Sequence, residues 1–169
     1  MLLSTHELQQ LIATGVIDAP MDAVKGTSID VRLHNILLLE KEHTSGPLLI
    51  IPRVSKMAFT IKDLTTASHW MTPHQFLLGS LIERINLPNN LTGKFYLDSS
   101  LARCGQEHSA AISIKPGWQG KLTLELINVS QFHKIRLHAG MPIGCIEFTR
   151  HDPATAYTGQ YQLQEEVGG

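Results

Sequence analysis

The chain has 169 residues, which suits a single domain able to bury a hydrophobic core without disulfides or metal ions. Hydrophobic residues make up 43% of the sequence and charged residues 17%, so the composition is that of an ordinary globular protein and excludes a disordered one. The formal net charge of −1 gives no overall attraction to nucleic acid or to an anionic membrane, and we expect neither as a partner. An anionic ligand must therefore be bound by a local cluster of charge.

The two cysteines, Cys104 and Cys145, do not form a Cys-x-x-Cys pair. This predicts neither a disulfide framework nor a cysteine-based zinc site, and it is consistent with a reducing cytoplasm. The amino-terminal residues lack a basic region followed by a long apolar run, and no apolar run reaches the length of a membrane span. We therefore expect a cytoplasmic protein.

One helix is predicted at the start of the chain, because Ser4 and Glu7 have capping-box spacing and Gly15 ends the apolar periodicity that follows. Later apolar segments have the pattern of strands, over residues 26–33, 48–51, 76–85, 94–97, 112–115, 121–127, 133–137 and 143–148. A Pro-Gly turn joins the strands 112–115 and 121–127, and residues 139–142 join the last two, which predicts two hairpins. Many short strands and one helix predict an all-β barrel or jelly roll.

The chain has no repeat, no low-complexity tract and no linker between domains. Its last segment is polar with scattered aromatic residues. We predict one domain over residues 1–151 and a mobile carboxy-terminal tail over residues 152–169.

Two serines and an arginine are clustered at Ser99, Ser100 and Arg103. If Leu101 begins a helical turn, the three side chains share one face beside backbone N–H groups that have no partner within the helix. Such a place can bind an anion, and arginine adds a bidentate donor for phosphate. The simpler alternative is that Asp98 or Ser99 only caps a short helix.

Glu125 lies in the middle of a strongly apolar predicted strand. Strand alternation places the leucines at 122, 124 and 126 on one face and Lys121, Thr123 and Glu125 on the other. A glutamate at such a position is unfavourable unless it meets solvent or a partner. Glu125 is therefore a candidate general base, and the alternative is a solvated outer face with Glu125 near Lys121.

No histidine has the spacing to glutamate and cysteine that marks the zinc deaminases, so no zinc site is predicted. His108, His133 and His138 are interpreted as surface or interface residues. The alternating residues Lys134, Arg136 and His138 are predicted to form a solvated strand face.

Together these segments resemble the dCTP deaminase family, a branch of the trimeric dUTPase superfamily. The matching residues follow in order along nearly the whole chain, at 2–4, 27–33, 76–78, 87–88, 99–103, 108, 116–118, 124–125, 128, 142–148 and 157–162. The resemblance implies a distorted, dUTPase-like β-barrel or jelly roll, assembled as a homotrimer with active sites between subunits.

The resemblance also implies an activity, the zinc-independent hydrolytic deamination of dCTP, or a related deoxycytidine nucleotide, to dUTP and ammonia. Glu125 would act as general acid/base on the water that attacks C4, and Ser99 would help to hold that water. Ala111 would offer its backbone to the base. Ser100 and Arg103 would support the site and the phosphates, with Mg²⁺ arriving on the triphosphate.

Further residues are implied to contact the substrate. Lys115 and Trp118 belong to the segment that matches the family before the strand of Glu125. The tail residues Tyr157, Gln160, Tyr161 and Gln162 match a segment that folds over the bound nucleotide, so residues 152–169 are predicted to act as a lid that excludes water.

Two charged residues depart from the family pattern. The family usually has arginine where this chain has Asp98, and aspartate near the deoxyribose where this chain has Lys115. A carboxylate at position 98 should repel triphosphate, and a lysine cannot accept a hydrogen bond from a sugar hydroxyl. Either Asp98 and Lys115 pair with each other, or the ligand differs from dCTP.

Two other functions are compatible with the sequence. A dUTP diphosphatase, or a bifunctional deaminase–diphosphatase, is disfavoured because the water-activating aspartate of dUTPases falls at Lys115, and lysine is cationic at neutral pH. A non-catalytic nucleotide-binding trimer fits the two charge reversals but not the retention of Ser99, Arg103 and Glu125. We therefore rank deamination above these two alternatives as the expected activity.

Overall fold

The computed structural model describes residues 1–42, 57–109 and 111–168. The helices are α1 (Thr5–Ala13) and α2 (Ser99–Arg103), and a 3₁₀ turn covers Met21–Ala23. The strands are β1 (Val24–Lys25), β2 (Ser28–Arg32), β3 (Ile36–Glu40), β4 (Phe59–Asp63), β5 (His69–Met71), β6 (Phe76–Asn86), β7 (Leu91–Leu97), β8 (Gln106–His108), β9 (Ser113–Ile114), β10 (Gln119–Asn128), β11 (Ile135–Leu137) and β12 (Pro142–Arg150). The expected strand at 48–51 lies outside the described residues. None of the helices in the described ranges is long and apolar enough to cross a membrane.

Two antiparallel five-stranded sheets form the body of the protein. Their strand orders are β1-β2-β12-β7-β9 and β4-β3-β6-β10-β8, and β11 pairs with β5 in a separate ribbon. Buried side chains from both sheets join α1 in one hydrophobic core, which includes Leu8, Val31, Leu81, Phe95, Leu124 and Phe148. The all-β jelly-roll prediction is confirmed, and in the described residues the two sheets stay separate instead of closing into a barrel.

Helix α1 begins as the capping-box spacing predicts. The Ser4 backbone N–H donates to Glu7 Oε2 at 2.9 Å, and the Ser4 hydroxyl donates to the same oxygen at 2.8 Å. Leu8 and Leu11 are buried on the inner face of the helix. The helix therefore packs through one apolar stripe and leaves its other face to solvent.

Both predicted hairpins are wrong. Strand β9 pairs with β7, whereas β10 pairs with β6 and β8 in the other sheet. Likewise β11 pairs with β5, whereas β12 pairs with β2 and β7. The turn residues are correctly placed, but turn chemistry only reverses the chain, and in a jelly roll the next strand can enter the opposite sheet.

The turn between β9 and β10 has a well-defined hydrogen-bonded conformation. The Trp118 N–H donates to the Lys115 carbonyl at 3.1 Å, and Gly117 has φ +73°. Proline and glycine at the two central positions therefore form a type II turn, which requires positive φ at its third residue. This turn fixes the backbone of Lys115 and Trp118 beside the start of β10.

Strand β10 contains an irregularity that alters the predicted alternation of its side chains. Its register with β6 shifts between Lys121 and Thr123. Leu124 and Leu126 are fully buried as expected, but Leu122 is only half-buried. The two-face prediction therefore fails at Leu122, because a bulge moves one residue out of phase with its neighbours.

A buried carboxylate connects the two sheets. Glu83 of β6 is fully buried, and it accepts hydrogen bonds from the Arg32 backbone N–H at 3.0 Å and from Arg32 Nε at 2.9 Å. Arg32 is the last residue of β2, so this pair ties the end of a strand in one sheet to the middle strand of the other.

Replacing Arg32 with methionine should destabilise the protein, because Glu83 would keep only one backbone donor. We expect the free energy of unfolding to fall by about 2 kcal/mol. This is less than for a fully buried ion pair, because the Arg32 side chain is half-exposed. Urea denaturation at one fixed protein concentration measures the change. Arg150→Met is the control, since it removes an ion pair to Glu7 that lies at the surface, and equal losses in the two variants would contradict the prediction.

Candidate active site

A pocket of about 490 Å³ lies beside β10, against the type II turn and the tail. It is lined by Leu78 of β6, by Ala111, Ser113, Ile114, Lys115 and Trp118 from the segment before β10, by Leu122, Thr123 and Glu125 of β10, and by Tyr157, Tyr161, Gln164 and Gly168 of the tail. Apolar and aromatic walls with a few polar groups are typical of a site for a small organic ligand.

Glu125 places a partly buried carboxyl on the pocket wall. Its side chain is 30% exposed, and its Oε2 atom is buried without a hydrogen-bond partner among the described residues. Burial raises the pKa of this carboxyl, because the charged form loses solvation. The group is therefore closer to exchanging protons at neutral pH than a glutamate in water.

His108 is the nearest titratable neighbour of Glu125. Its side chain is only 4% exposed, and its Nε2 atom lies 3.4 Å from Glu125 Oε2. The two atoms are not aligned for a hydrogen bond. The ring packs against Phe95 with the centroids 5.0 Å apart. Burial lowers the pKa of the imidazole, so the neutral form is favoured.

The interpretation of His108 as a surface or interface residue is wrong. In the register of β8 with β10, His108 lies opposite Leu126, one residue from Glu125. Strand β8 has only three residues and no apolar alternation, so the sequence gives no local indication that the His108 side chain points inward. His133 and His138 are exposed as expected, and so are Lys134 and Arg136 on the predicted solvated face.

The described residues contain no group of three or more His, Cys, Asp or Glu side chains arranged to hold a metal ion. Glu125 and His108 lie side by side, with the pKa of the carboxyl raised and that of the imidazole lowered by burial. Such a pair can accept or release a proton at a ligand in the pocket.

The predicted site residues fall into two groups. Six of them line the same pocket, namely Ala111, Lys115, Trp118, Glu125, Tyr157 and Tyr161. Ser99, Ser100 and Arg103 are exposed on α2 and do not line it. Gln160 is exposed outside the pocket, and Gln162 binds the turn instead of facing the cavity.

Asp98 caps α2. Its Oδ1 atom accepts a hydrogen bond from the Ser100 backbone N–H at 2.7 Å and another from the Ser100 hydroxyl. These bonds lower the pKa of the Asp98 carboxyl. Within the described part of the chain Asp98 does not form an ion pair with Lys115, so the suggested pairing of the two is absent inside one chain.

The tail packs against the type II turn. The Tyr157 N–H donates to the Pro116 carbonyl at 2.8 Å, and Trp118 Nε1 donates to the Tyr161 carbonyl at 2.8 Å. Gln162 Nε2 donates to the Gly117 carbonyl at 2.9 Å. The segment expected to be mobile thus makes many defined contacts, while its action as a lid stays a prediction.

Beyond Gln162 the tail runs parallel to β10. The Leu163 N–H donates to the Gln119 carbonyl at 2.9 Å, and the Lys121 N–H donates to the Gln164 carbonyl at 2.7 Å. The Gln164 side-chain amide and the Gly168 N–H both donate to the Thr123 hydroxyl. Sequence reasoning missed this segment, because a polar stretch without alternation gives no sign of strand pairing.

Gly120 allows the tail to approach. Its φ is +142°, and a Cβ atom at this position would lie 2.5 Å from the Gln164 carbonyl oxygen. Any larger residue would therefore push the tail backbone away from β10. In the sequence, only the glycine at position 120 within an apolar strand indicates this close approach of another backbone segment.

The features described so far define a jelly-roll protein with a small-ligand pocket built around one carboxyl group. A family model described as dCTP deaminase-like matches residues 2–151, and the chain belongs to this family. A dCTP deaminase of Shewanella amazonensis is 34% identical over 89% of this chain and 84% of its own. A protein of Methanospirillum hungatei named dCTP deaminase, dUMP-forming, is 36% identical over 75% of this chain and 68% of its own.

A solved structure also resembles the fold. The 2′-deoxycytidine 5′-triphosphate deaminase of Agrobacterium tumefaciens superposes with a TM-score of 0.69 and 21% sequence identity. The match covers 87% of this chain and 48% of the other, so this chain spans about half of that structure. The likeness supports the shared jelly roll.

Replacing Gly120 with alanine should detach residues 163–164 from β10, because the added methyl group would overlap the Gln164 backbone. We expect amide hydrogen exchange in residues 157–168 to accelerate by about tenfold or more. Gly140→Ala is a matched control, since Gly140 also has positive φ, +76°, but a Cβ atom there would meet nothing within 4 Å. Unchanged protection of the tail in G120A would contradict the prediction.

Proposed function

We propose that this protein is a zinc-independent deaminase that converts dCTP, or a related deoxycytidine nucleotide, to the uridine nucleotide and ammonia, with Glu125 as general acid/base. The observation that carries the proposal is the partly buried Glu125 carboxyl, with its raised pKa, on the wall of a pocket of about 490 Å³. Family membership and the names of the two relatives support the choice of reaction.

The reaction needs one group that first accepts a proton and later donates it. Ionised Glu125 takes a proton from water as the water oxygen bonds to C4 of cytosine, and passes that proton to ring atom N3. The carboxylate then takes the proton of the new C4 hydroxyl and gives it to the amino group, so the C4–N bond breaks and ammonia leaves as the C4 carbonyl forms. A raised pKa suits both steps, because it reduces the free-energy difference between the protonated and the ionised carboxyl near neutral pH.

His108 supports this role through its neutral form. A charged imidazole 3.4 Å from Glu125 would stabilise the carboxylate and oppose its protonation. Because burial favours the uncharged ring, the carboxyl keeps its raised pKa. The Ala111 N–H already donates to the Ser109 carbonyl at 2.7 Å, so its own carbonyl is the atom that would contact the base.

A homotrimer with sites between subunits would explain why α2 lies outside the pocket of its own chain. Ser99 and Arg103 are exposed and outside the pocket of their own chain, so they are available to a neighbouring subunit. In such an assembly Ser99 would hold the attacking water, while Ser100 and Arg103 would support the phosphates and their Mg²⁺ ion. The tail residues Tyr157, Gln160, Tyr161 and Gln162 would complete the site as a lid.

A second activity is suggested by the relative named dUMP-forming, which is 36% identical. In a bifunctional enzyme the dUTP product would also lose diphosphate. The cation of Lys115 in the pocket opposes this activity, because no aspartate stands there to activate water for attack on phosphorus.

Glu125→Gln should abolish deamination without unfolding the protein. Product analysis after incubation with dCTP and Mg²⁺ should show dUTP and ammonia with the wild type, and a rate lower by about 10²–10⁴-fold with the variant. Glu107→Gln, at an exposed position of β8, is the control and should keep full activity. Formation of dUMP would support the bifunctional alternative. No product from the wild type, either with dCTP or with the mono- and diphosphates of deoxycytidine, would overturn the proposal.

The dependence of kcat/KM on pH should reflect the ionisation of the Glu125 carboxyl. Activity requires the ionised carboxyl to take a proton from water, so it should fall as pH drops through a pKa above the usual 4.5 of glutamate. His108→Gln tests the assignment, because the acid limb should persist when only the imidazole is removed. Loss of the limb in H108Q would assign it to the histidine.

A further inference from the structure

The hydroxyl group of Thr123 has only one hydrogen-bonding capacity left for a ligand. Thr123 lines the pocket, and its Oγ1 atom accepts hydrogen bonds from Gln164 Nε2 and from the Gly168 N–H, the latter at 3.2 Å. A hydroxyl oxygen has two acceptor positions and one proton to donate. Because the tail occupies both acceptor positions, the Thr123 hydroxyl can serve a ligand only as a donor.

A second contact fixes the orientation of the Gln164 side-chain amide. Its Nε2 atom also donates to the Glu166 carbonyl at 3.2 Å, and a carbonyl oxygen can only accept. The nitrogen of the amide, and not its oxygen, therefore faces Thr123. Gln164 is buried, and its backbone carbonyl accepts a hydrogen bond from the Lys121 N–H at 2.7 Å, so the amide is held beside β10.

The proton of the Thr123 hydroxyl is directed away from the tail. No side chain or carbonyl in the described part of the chain accepts a hydrogen bond from it. Since both lone pairs point toward Gln164 and Gly168, the proton points to the side where the pocket lies. A donor without a partner in a largely apolar cavity favours a ligand that brings a matching acceptor atom.

The spacing between Thr123 and Glu125 suits a pyrimidine ring. The two are alternate residues of β10 on the same face of the strand, about 6–7 Å apart along it. Cytosine has two acceptor atoms in its ring plane, N3 and O2. In the proposed reaction Glu125 acts at C4 and gives a proton to N3. The acceptor that still needs a donor is therefore O2, which lies beyond N3 as seen from C4.

We propose that Thr123 is a base-recognition residue that donates a hydrogen bond to the 2-oxo group of a pyrimidine nucleotide. Gln164 is the positioning residue that sets the direction of this bond. The inference rests on the proposed function for the place of C4 beside Glu125. The site thus selects 2-oxopyrimidine rings, because a ring without an acceptor at this position would leave the Thr123 donor unpaired.

Binding is measured by calorimetric titration of Glu125→Gln protein in the presence of Mg²⁺, so that the ligand is not consumed. The two ligands are dCTP and its 2-thio analogue, because sulfur accepts hydrogen bonds more weakly than oxygen. We expect dCTP to bind about five- to tenfold more tightly than the analogue. The ratio of the two dissociation constants reports the contact at the 2-position, since a change in the tail or at the phosphates affects both constants alike. Equal affinity for the two ligands would overturn the proposal.

Thr123→Val should bring this ratio close to one, because valine has the shape of threonine without the hydroxyl. Thr123→Ser should keep most of the ratio. Thr149→Val replaces an exposed threonine of β12 outside the pocket, and this matched control should leave the ratio unchanged. If T123V weakens both ligands equally and keeps the ratio, the hydroxyl only holds the tail, and the proposal is overturned.

Gln164→Glu tests the positioning role, because a carboxylate would accept the Thr123 proton and turn the donor away from the pocket. We expect Q164E to lose the ratio as T123V does, and an unchanged ratio would refute the role of Gln164.

Turnover by the unmutated protein separates this inference from the proposed function. Deamination of dCTP, together with a ratio that does not depend on Thr123, would refute only the inference. A ratio that depends on Thr123 without any deamination would refute only the proposed reaction.

Discussion

The backbone pairing of β10 determines the geometry of the whole site. One edge of the strand is paired with β6 along nearly its full length. The other edge is shared, with β8 opposite residues 126–128 and the tail opposite residues 119–121. Glu125 lies where the pairing with β8 ends, and its backbone carbonyl accepts a hydrogen bond from the Ser109 N–H at 3.0 Å. The strand is therefore held on both sides of the site, and burial of the Glu125 side chain raises the pKa of its carboxyl.

The proposed role of Glu125 depends on a neutral imidazole at close range. Glu125 and His108 lie 3.4 Å apart without an aligned hydrogen bond, and burial shifts the pKa of each toward its neutral form. An ion pair here would hold the proton on the imidazole and leave the carboxylate with little tendency to accept another. The surrounding core, including the Phe95 ring, therefore shifts these pKa values through desolvation, and in this way it would act on the proposed reaction.

Local patterns in the sequence predict α1 and seven of the strands, but they miss β1, β3, β4, β5 and β8 and the pairing of β9 to β12. Capping at Ser4, alternation in β2 and the Pro-Gly turn after Lys115 appear where the sequence predicts them, whereas the alternation of β10 fails at Leu122. Pairing of β9 with β7, the inward position of His108 and the docking of the tail depend on residues far apart in the chain. Glu125 was predicted from its place in an apolar strand, and Lys115 and Trp118 from the family resemblance. Thr123 and Gln164 were missed, because they become neighbours only after folding.

The short parallel pairing at Gly120 has a consequence for solubility. Residues 119–121 of β10 would otherwise present unpaired N–H and C=O groups beside a run of leucines, and such an edge can pair with another chain. The tail satisfies these groups within the molecule, through Leu163 and Gln164. The segment that lines one side of the pocket thus also shields a strand edge, and its detachment from β10 would expose a template for aggregation.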